Sequence, residues 1–201
     1  MPELPEVETS VQAIQEFTDQ KIESIQIYNP NLRWKVDAGV FKRLHGMKVK
    51  NITRRAKYIL LNINKSQILI HLGMTGTLRI ADKKSNFYKK HDHVELIFQN
   101  GKLIFNDPRR FGSMHFVPKP NKHFLLENLG PEPLSDQFNE DYFFHRIKKL
   151  KSPIKNVLMN QKHVVGIGNI YANEILFDAR IRPTRKSKAL TKKETKEVVT
   201  S

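Results

Sequence analysis

Val7, Val11, Ile14 and Phe17 recur at three- and four-residue intervals near the start of the chain, a spacing that predicts an amphipathic helix over residues 6–17. Ile25 and Ile27 share one face of a strand-like segment, and a loop follows through Asn29, Pro30 and Asn31. From Lys48 to Phe116 the apolar runs become short and strand-like, at residues 49–53, 58–63, 68–72, 78–80, 94–98 and 103–105. Asn100-Gly101, between the last two, is a two-residue hairpin signal. Many short strands at close spacing imply a sandwich or a barrel.

Beyond Phe116 the pattern changes. Pro118, Pro120, Pro131 and Pro133 mark residues 118–135 as an interdomain linker. Helical spacing then predominates, over residues 139–150, 154–159 and 170–178, with another helix starting at Thr191. Thr191 followed by Glu194 is a capping box. No glycine or proline terminates that helix before Ser201, so the chain is expected to stop inside it. The sequence therefore divides into a mixed, β-rich domain at 1–117, the linker, and a small all-helical domain at 136–201. There is no internal repeat and no low-complexity tract.

Composition narrows the class. The 201 residues are 39% hydrophobic and 27% charged, ordinary for a soluble globular protein, and no apolar run is long enough to span a membrane. The N-terminus carries acid where a secretory signal would carry base, and cysteine is absent, which excludes disulfides, a thiol nucleophile and a thiolate metal site. A cytoplasmic location is expected, nucleoid-associated if the source is prokaryotic. Lys and Arg number 35 against 20 acids, a net charge of +15. That surplus favours a polyanion through counterion release, most commonly nucleic acid, although membrane-surface proteins share it.

The candidate chemistry begins at the second residue. Removal of Met1 would expose Pro2 as a free secondary amine, and an α-amine has a pKa near 8. Enough is unprotonated at neutral pH to attack an electrophilic sugar carbon and form an iminium. Glu3, Glu6 and Glu8 lie beside it, three carboxylates in an otherwise cationic protein. The plainer reading is that proline opens a helix and the glutamates complement its dipole. His91-Asp92-His93 invites a metal reading, since both imidazoles would share one face of a strand, but no third or fourth ligand is visible. Gly166-Ile167-Gly168-Asn169 lacks the third glycine of a dinucleotide loop and follows a helix, so it reads better as a turn leading into a helix.

The string Met1-Pro2-Glu3-Leu4-Pro5-Glu6-Val7-Glu8-Thr9 resembles the opening of formamidopyrimidine-DNA glycosylases. Further matches follow in order: Arg54-Arg55-Ala56-Lys57-Tyr58, His71-Leu72-Gly73-Met74-Thr75-Gly76, Lys90-His91-Asp92-His93, Asp107-Pro108-Arg109-Arg110-Phe111-Gly112, Leu129-Gly130-Pro131-Glu132-Pro133-Leu134 and Gly166-Ile167-Gly168-Asn169-Ile170-Tyr171-Ala172. Leu4 stands where the related endonuclease VIII type carries glycine, so the purine-lesion branch is the closer one. The resemblance implies an α+β chain, with an N-terminal β-sandwich and flanking helices followed by a helix–two-turns–helix domain. It implies damaged double-stranded DNA as partner and a monomeric enzyme with glycosylase and abasic-site lyase activities. Pro2 would be the nucleophile, Glu3 the acid at the sugar ring oxygen, and Lys57, on a strand, a phosphate contact that assists elimination. Met74, Arg109 and Phe111 would fill the void left by an extruded base. His71, His91, Lys155 and Asn169 would contact DNA, with Asn169 at a helix N-terminus.

One departure matters. The family ordinarily continues into the rest of the helical domain and a four-cysteine zinc finger, and this sequence has neither. No zinc and no other cofactor is expected, DNA affinity should be weaker, and the second elimination step is in doubt. The rival readings are a glycosylase for oxidised pyrimidines, a truncated and inactive DNA-binding module, and a basic ribosome-associated protein.

Overall fold

The spacing of Val7 and Val11 becomes a helix, α1 (Leu4–Ala13), that turns these residues into the core with Pro5 in its first turn. It is shorter than the predicted 6–17. Ile14 leaves the helical region and a single 3-10 turn, Gln15–Phe17, carries Phe17 inward to stack on Phe98 at 4.4 Å between ring centroids. All 201 residues are described by this computed structural model, which divides into two units, Met1–Glu127 and Asn128–Ser201. No helix is long and apolar enough to cross a membrane.

In the first unit eight strands form two antiparallel sheets. One has β1 (Ile22–Ile27), β6 (Asp92–Phe98), β7 (Lys102–Asn106) and β5 (Thr77–Ala81), in that order. The other runs β2 (Val49–Arg55), β3 (Tyr58–Ile63), β4 (Ser66–His71), β8 (Ser113–Val117). Their inner faces share one apolar cluster, with Val94, Leu96 and Phe105 from the first sheet and Ile59, Leu61, Ile68 and Ile70 from the second. This is a sandwich, the geometry in which alternating side chains of two sheets meet. On the outer face of the second sheet Leu60, Leu69 and Val117 are covered by Leu125 and Leu126. Residues 118–127, the front of the stretch expected as a linker, therefore fold onto the sheet and belong with the first unit.

Two elements escaped the sequence pattern. The short helix α2 (Ala38–Lys42) rests on Asp37, whose carboxylate accepts from the backbone of Gly39 and Val40, and it buries only Phe41. Strand β8 interrupts its apolar residues with His115 and gains its identity from pairing with β4. The β6–β7 hairpin forms, but its tip is one residue earlier than Asn100-Gly101 suggests. The Phe98 N–H donates to Gly101 O at 2.8 Å, which leaves Gln99 and Asn100 at the turn, and neither has the positive φ of a type I′ loop.

The second unit is helical: α3 (Glu140–Lys148), α4 (Ile154–Leu158), α5 (Asn169–Asp178) and α6 (Lys192–Thr200). Phe143, Ile147, Leu158, Val164, Leu176 and Leu190 form its core. The Asn139 side chain caps α3, and Thr191 with Glu194 makes the expected capping box on α6. Arg185 clamps Glu194 from outside and holds its carboxyl well below the usual range, at about 2.

Removing the ring that Phe17 stacks on tests the first core directly. Phe98→Ala is expected to cost about 3–5 kcal/mol, read from the urea midpoint of the sandwich unit.

Candidate active site and nucleic-acid interface

The three N-terminal carboxylates separate into three roles. Glu3 is buried, 3% exposed, at the N-cap of α1. Glu6 turns back to accept from the Glu3 backbone N–H at 2.9 Å, which fixes the chain direction just after Pro2. Glu8 points elsewhere and pairs with Arg54 at 2.9 Å. Pro2 itself is half-buried beneath an exposed Met1.

Lys57 reaches this corner, though not from a strand as expected. The last pair of the β2–β3 hairpin is Arg55 with Tyr58, so Ala56 and Lys57 form its tip. Ala56 takes a φ of +53 and its carbonyl accepts from Arg54 Nη1 at 2.9 Å. Despite its place in a turn Lys57 is only 5% exposed. Burial lowers its pKa, and the nearby charges of Glu3 and Glu6 offset part of that fall. The Lys57 ammonium thus lies close to a buried carboxylate that directly follows the second residue.

His71, at the end of β4, packs against Tyr58 at 5.0 Å between ring centroids. Burial first, then the charges of Arg33 and Lys57, push its pKa down to about 4. Its neutral ring lets Nδ1 accept from the Gly73 N–H at 3.1 Å.

That contact starts the loop holding Met74. Gly73 has a φ of +65, and a Cβ there would lie 2.4 Å from Gly112 N and 2.5 Å from Phe111 C. Two backbones therefore touch where only glycine fits. Asp107, fully buried, ties the same pair of loops: its carboxylate accepts from Thr75 Oγ1 at 2.6 Å, Gly112 N at 2.8 Å and Arg109 N at 3.3 Å. Met74 and Phe111 stand out into solvent, 45% and 44% exposed, and the Arg109 guanidinium lies 4.7 Å from the centre of the Phe111 ring. Two large apolar side chains and a cation are thus presented on rigid loops rather than buried in the core.

The histidine triplet is not the one-faced pair expected of a strand. β6 begins at Asp92, and His91 precedes it with a φ of +74. His93 is buried against Asp107 O at 2.7 Å, while the Asp92 carboxylate is occupied by Arg79, Asn106 and the Lys89 N–H. No group of three or more His, Cys, Asp or Glu is placed to hold a metal ion. The His91 carbonyl accepts from Asp107 N at 3.1 Å, which joins it to the loop of Arg109 and Phe111.

In the helical unit, Gly168 is the N-cap of α5, and Asn169 stands exposed as the first helical residue. The Gln161 side chain shapes the preceding turn, accepting from Gly166 N at 3.0 Å and donating to Ile167 O at 3.3 Å. Lys155 lies half-buried on α4. An exposed amide at a helix N-terminus suits a phosphate.

Comparison with known proteins decides the family. The formamidopyrimidine-DNA glycosylase N-terminal domain model matches residues 1–114, and the H2TH domain model of the same enzymes matches residues 129–201. The chain belongs to the formamidopyrimidine-DNA glycosylase family. It is 48% identical over 194 residues to the formamidopyrimidine-DNA glycosylase of Hydrogenovibrio crunogenus, covering 95% of this chain and 69% of that protein. It is 49% identical over 188 residues to that of Hahella chejuensis, covering 92% and 69%. The Lactococcus lactis protein solved with DNA containing an abasic site superposes with a TM-score of 0.91 at 32% identity, covering 98% of this chain and 74% of that one. A G226P mutant of the same protein with DNA containing Fapy-dG gives 0.92 at 33%, covering 99% and 74%.

For a formamidopyrimidine-DNA glycosylase sequence, the motifs named the exposed residues more readily than the groups that hold them. Asp107 and Arg33 were missed as individual contributors. Asp107 had a local signal, an aspartate opening an Asp-Pro turn. Arg33 had none, because its N–H donates to Gly112 O at 3.1 Å from a distant loop.

Asp107→Asn is expected to lower stability by about 1–3 kcal/mol and to weaken binding of a lesion-containing duplex, measured by urea denaturation and fluorescence anisotropy. The pH dependence is also set. His71 and His115 are both held at about 4, so the unfolded chain takes up protons first as pH falls. Their stabilising contribution is complete above about pH 6.5 and is lost progressively towards pH 4. The urea midpoint should fall between about pH 7.5 and pH 5, and His115→Gln should narrow that fall.

Proposed function

We propose that this base-excision-repair glycosylase removes oxidised purines, 8-oxoguanine and formamidopyrimidines, and then cleaves the strand as an abasic-site lyase through an iminium on Pro2. The observation that carries the reading is buried Lys57 close to buried Glu3, the residue that follows Pro2 in the chain. Once Met1 is removed, the Pro2 nitrogen is a secondary amine whose lone pair attacks C1′ of the damaged nucleotide. Glu3 donates a proton to the sugar ring oxygen, the base departs with the glycosidic electron pair, and the ring opens to a protonated Schiff base. Loss of a C2′ proton then expels the 3′ phosphate. Lys57 sets a positive charge where that phosphate leaves. None of these steps requires a metal ion or an organic cofactor.

Excision needs the base outside the stack, and the void needs a filler. Met74 and Phe111, exposed and anchored through Asp107, supply apolar wedges, and Arg109 supplies donors for the orphaned base. His71 and His91 flank these loops on the same unit. Lys155 and Asn169 would hold phosphates of the duplex, and the net charge of +15 favours the association. Solved relatives from Lactococcus lactis hold DNA containing Fapy-dG or an abasic site, which supports the substrate class.

Borohydride trapping on an 8-oxoguanine duplex tests the proposal, with the N-terminus checked by mass spectrometry. A covalent adduct is expected, lost when Pro2 is replaced by Gly behind an added N-terminal block. No adduct on either the lesion or an abasic duplex, with Met1 confirmed absent, would overturn it and leave a DNA-binding module. Glu3→Gln should slow base excision by about 10²–10⁴-fold while duplex binding persists. A lesion panel favouring oxidised pyrimidines would replace the substrate assignment alone.

A further inference from the structure

The segment between β5 and β6, residues 82–91, is a strap laid along β7. It begins beyond Ala81, which pairs with Lys102, and ends at Asp92, which pairs with Asn106 at the opposite end of that strand. Its polar groups are tied downwards. The buried Lys102 ammonium donates to Ser85 O at 2.9 Å, Asn106 Nδ2 to Lys90 O at 3.0 Å, and the Lys89 N–H to the Asp92 carboxylate at 2.9 Å. Ser85 Oγ accepts from Phe87 N at 3.3 Å.

With the backbone fastened in this way, the aromatic side chains are left on the outside. Phe87 is 64% exposed and Tyr88 52%, and Tyr88 meets the exposed Tyr28 edge-on at 5.0 Å. Neither ring contributes to an apolar core cluster. The strap also carries lysines. Lys89 lies 5.8 Å from the Phe87 ring centre, and the exposed Lys84, Lys89 and Lys90 form no ion pair, whereas Lys83 is taken by Glu23 at 2.5 Å. Exposed aromatic faces set among unpaired lysines match the chemistry of a single-stranded nucleic acid, whose bases stack while its phosphates meet the ammonium groups. A duplex, with its bases already stacked, offers these rings no face along its length.

The strap also ends in the right place. His91 closes it, and the His91 carbonyl accepts from Asp107 N, the residue that anchors the loops of Met74, Arg109 and Phe111. Tyr28 belongs to the same end of the sheet, since its N–H donates to His93 O at 2.8 Å.

We propose that Phe87 and Tyr88, with Lys84, Lys89 and Lys90, form a stacking platform for unpaired bases of a DNA strand running off the duplex held by the wedge loops. The platform would favour lesions beside gaps, tails or bubbles. Its connection to the lesion rests on the function proposed above; its binding of single strands does not.

The test is fluorescence anisotropy on a lesion duplex that is blunt, or that carries a tail of about ten thymidines on either the 3′ or the 5′ end. One tail polarity at least should tighten binding about ten-fold, the effect of one or two stacked bases. A tail of the same length made of abasic sugar-phosphate should give much less, because it has the charge without the rings. Phe87→Ala with Tyr88→Ala should remove the gain while leaving blunt-duplex affinity and excision unchanged. Phe87→Ala alone serves if the double variant does not fold. The proposal is overturned if neither tail tightens binding, if the abasic tail does as well as thymidine, or if the gain survives loss of the rings. Free oligothymidine bound through Phe87, with the blunt lesion duplex left unbound, would keep the platform and reject the lesion-binding reading.

Discussion

The geometry of the first unit's exposed face depends on one buried carboxylate. Asp107 has no cation paired with it; it is satisfied by two backbone N–H groups and the hydroxyl of Thr75. A buried charge is costly unless hydrogen bonds replace its water, and here those bonds come from the two loops that carry Met74, Arg109 and Phe111. Meeting that requirement draws the loops together until Gly73 and Gly112 touch backbone to backbone. The apolar tips can then stay in water without collapsing inward, because the strands and the Asp107 bonds fix the backbone behind them.

A second constraint acts at the N-terminus. Lys57 and Glu3 are both nearly inaccessible to water, and each reduces the cost of burying the other. Glu6 fixes the backbone at Glu3 and Glu8 is drawn away to Arg54, so a cluster that looks uniform in sequence contains one buried acid, one cap and one surface ion pair. The neutral state of His71 belongs to the same network, since burial first and then Arg33 and Lys57 disfavour its proton, and Nδ1 then accepts from Gly73. The acid corner and the loops of Met74 and Phe111 are in this way linked through a single imidazole.

Much of the fold was legible in the chain itself. Periods of two and three to four residues located six of the eight strands as strands, foretold a seventh at Ile25 and Ile27, and placed the main helices, because burial on one face leaves a local signature. The Thr191 capping box was legible for the same reason: all its bonds lie within four residues. What failed were elements without local period. β8 exists because β4 pairs with it, α2 because Asp37 caps five residues with one buried side chain, and the hairpin at Gln99-Asn100 shifted because strand register, not the Asn-Gly pair, set its turn.

The same division runs through the site. The residues along the chain already set the side-chain chemistry available, an imino acid at position 2 beside acids, a lysine, and apolar residues set among glycines, together with the surplus of positive charge. Folding was needed to bury Lys57 at a hairpin tip, to keep His71 neutral, to make His93 structural while His91 leads towards the Asp107 loop, and to leave Phe87 and Tyr88 facing water. Residue identity is local. Burial, pKa and backbone contact between Gly73 and Gly112 depend on groups brought together from distant parts of the chain, and no stretch of sequence carries them alone.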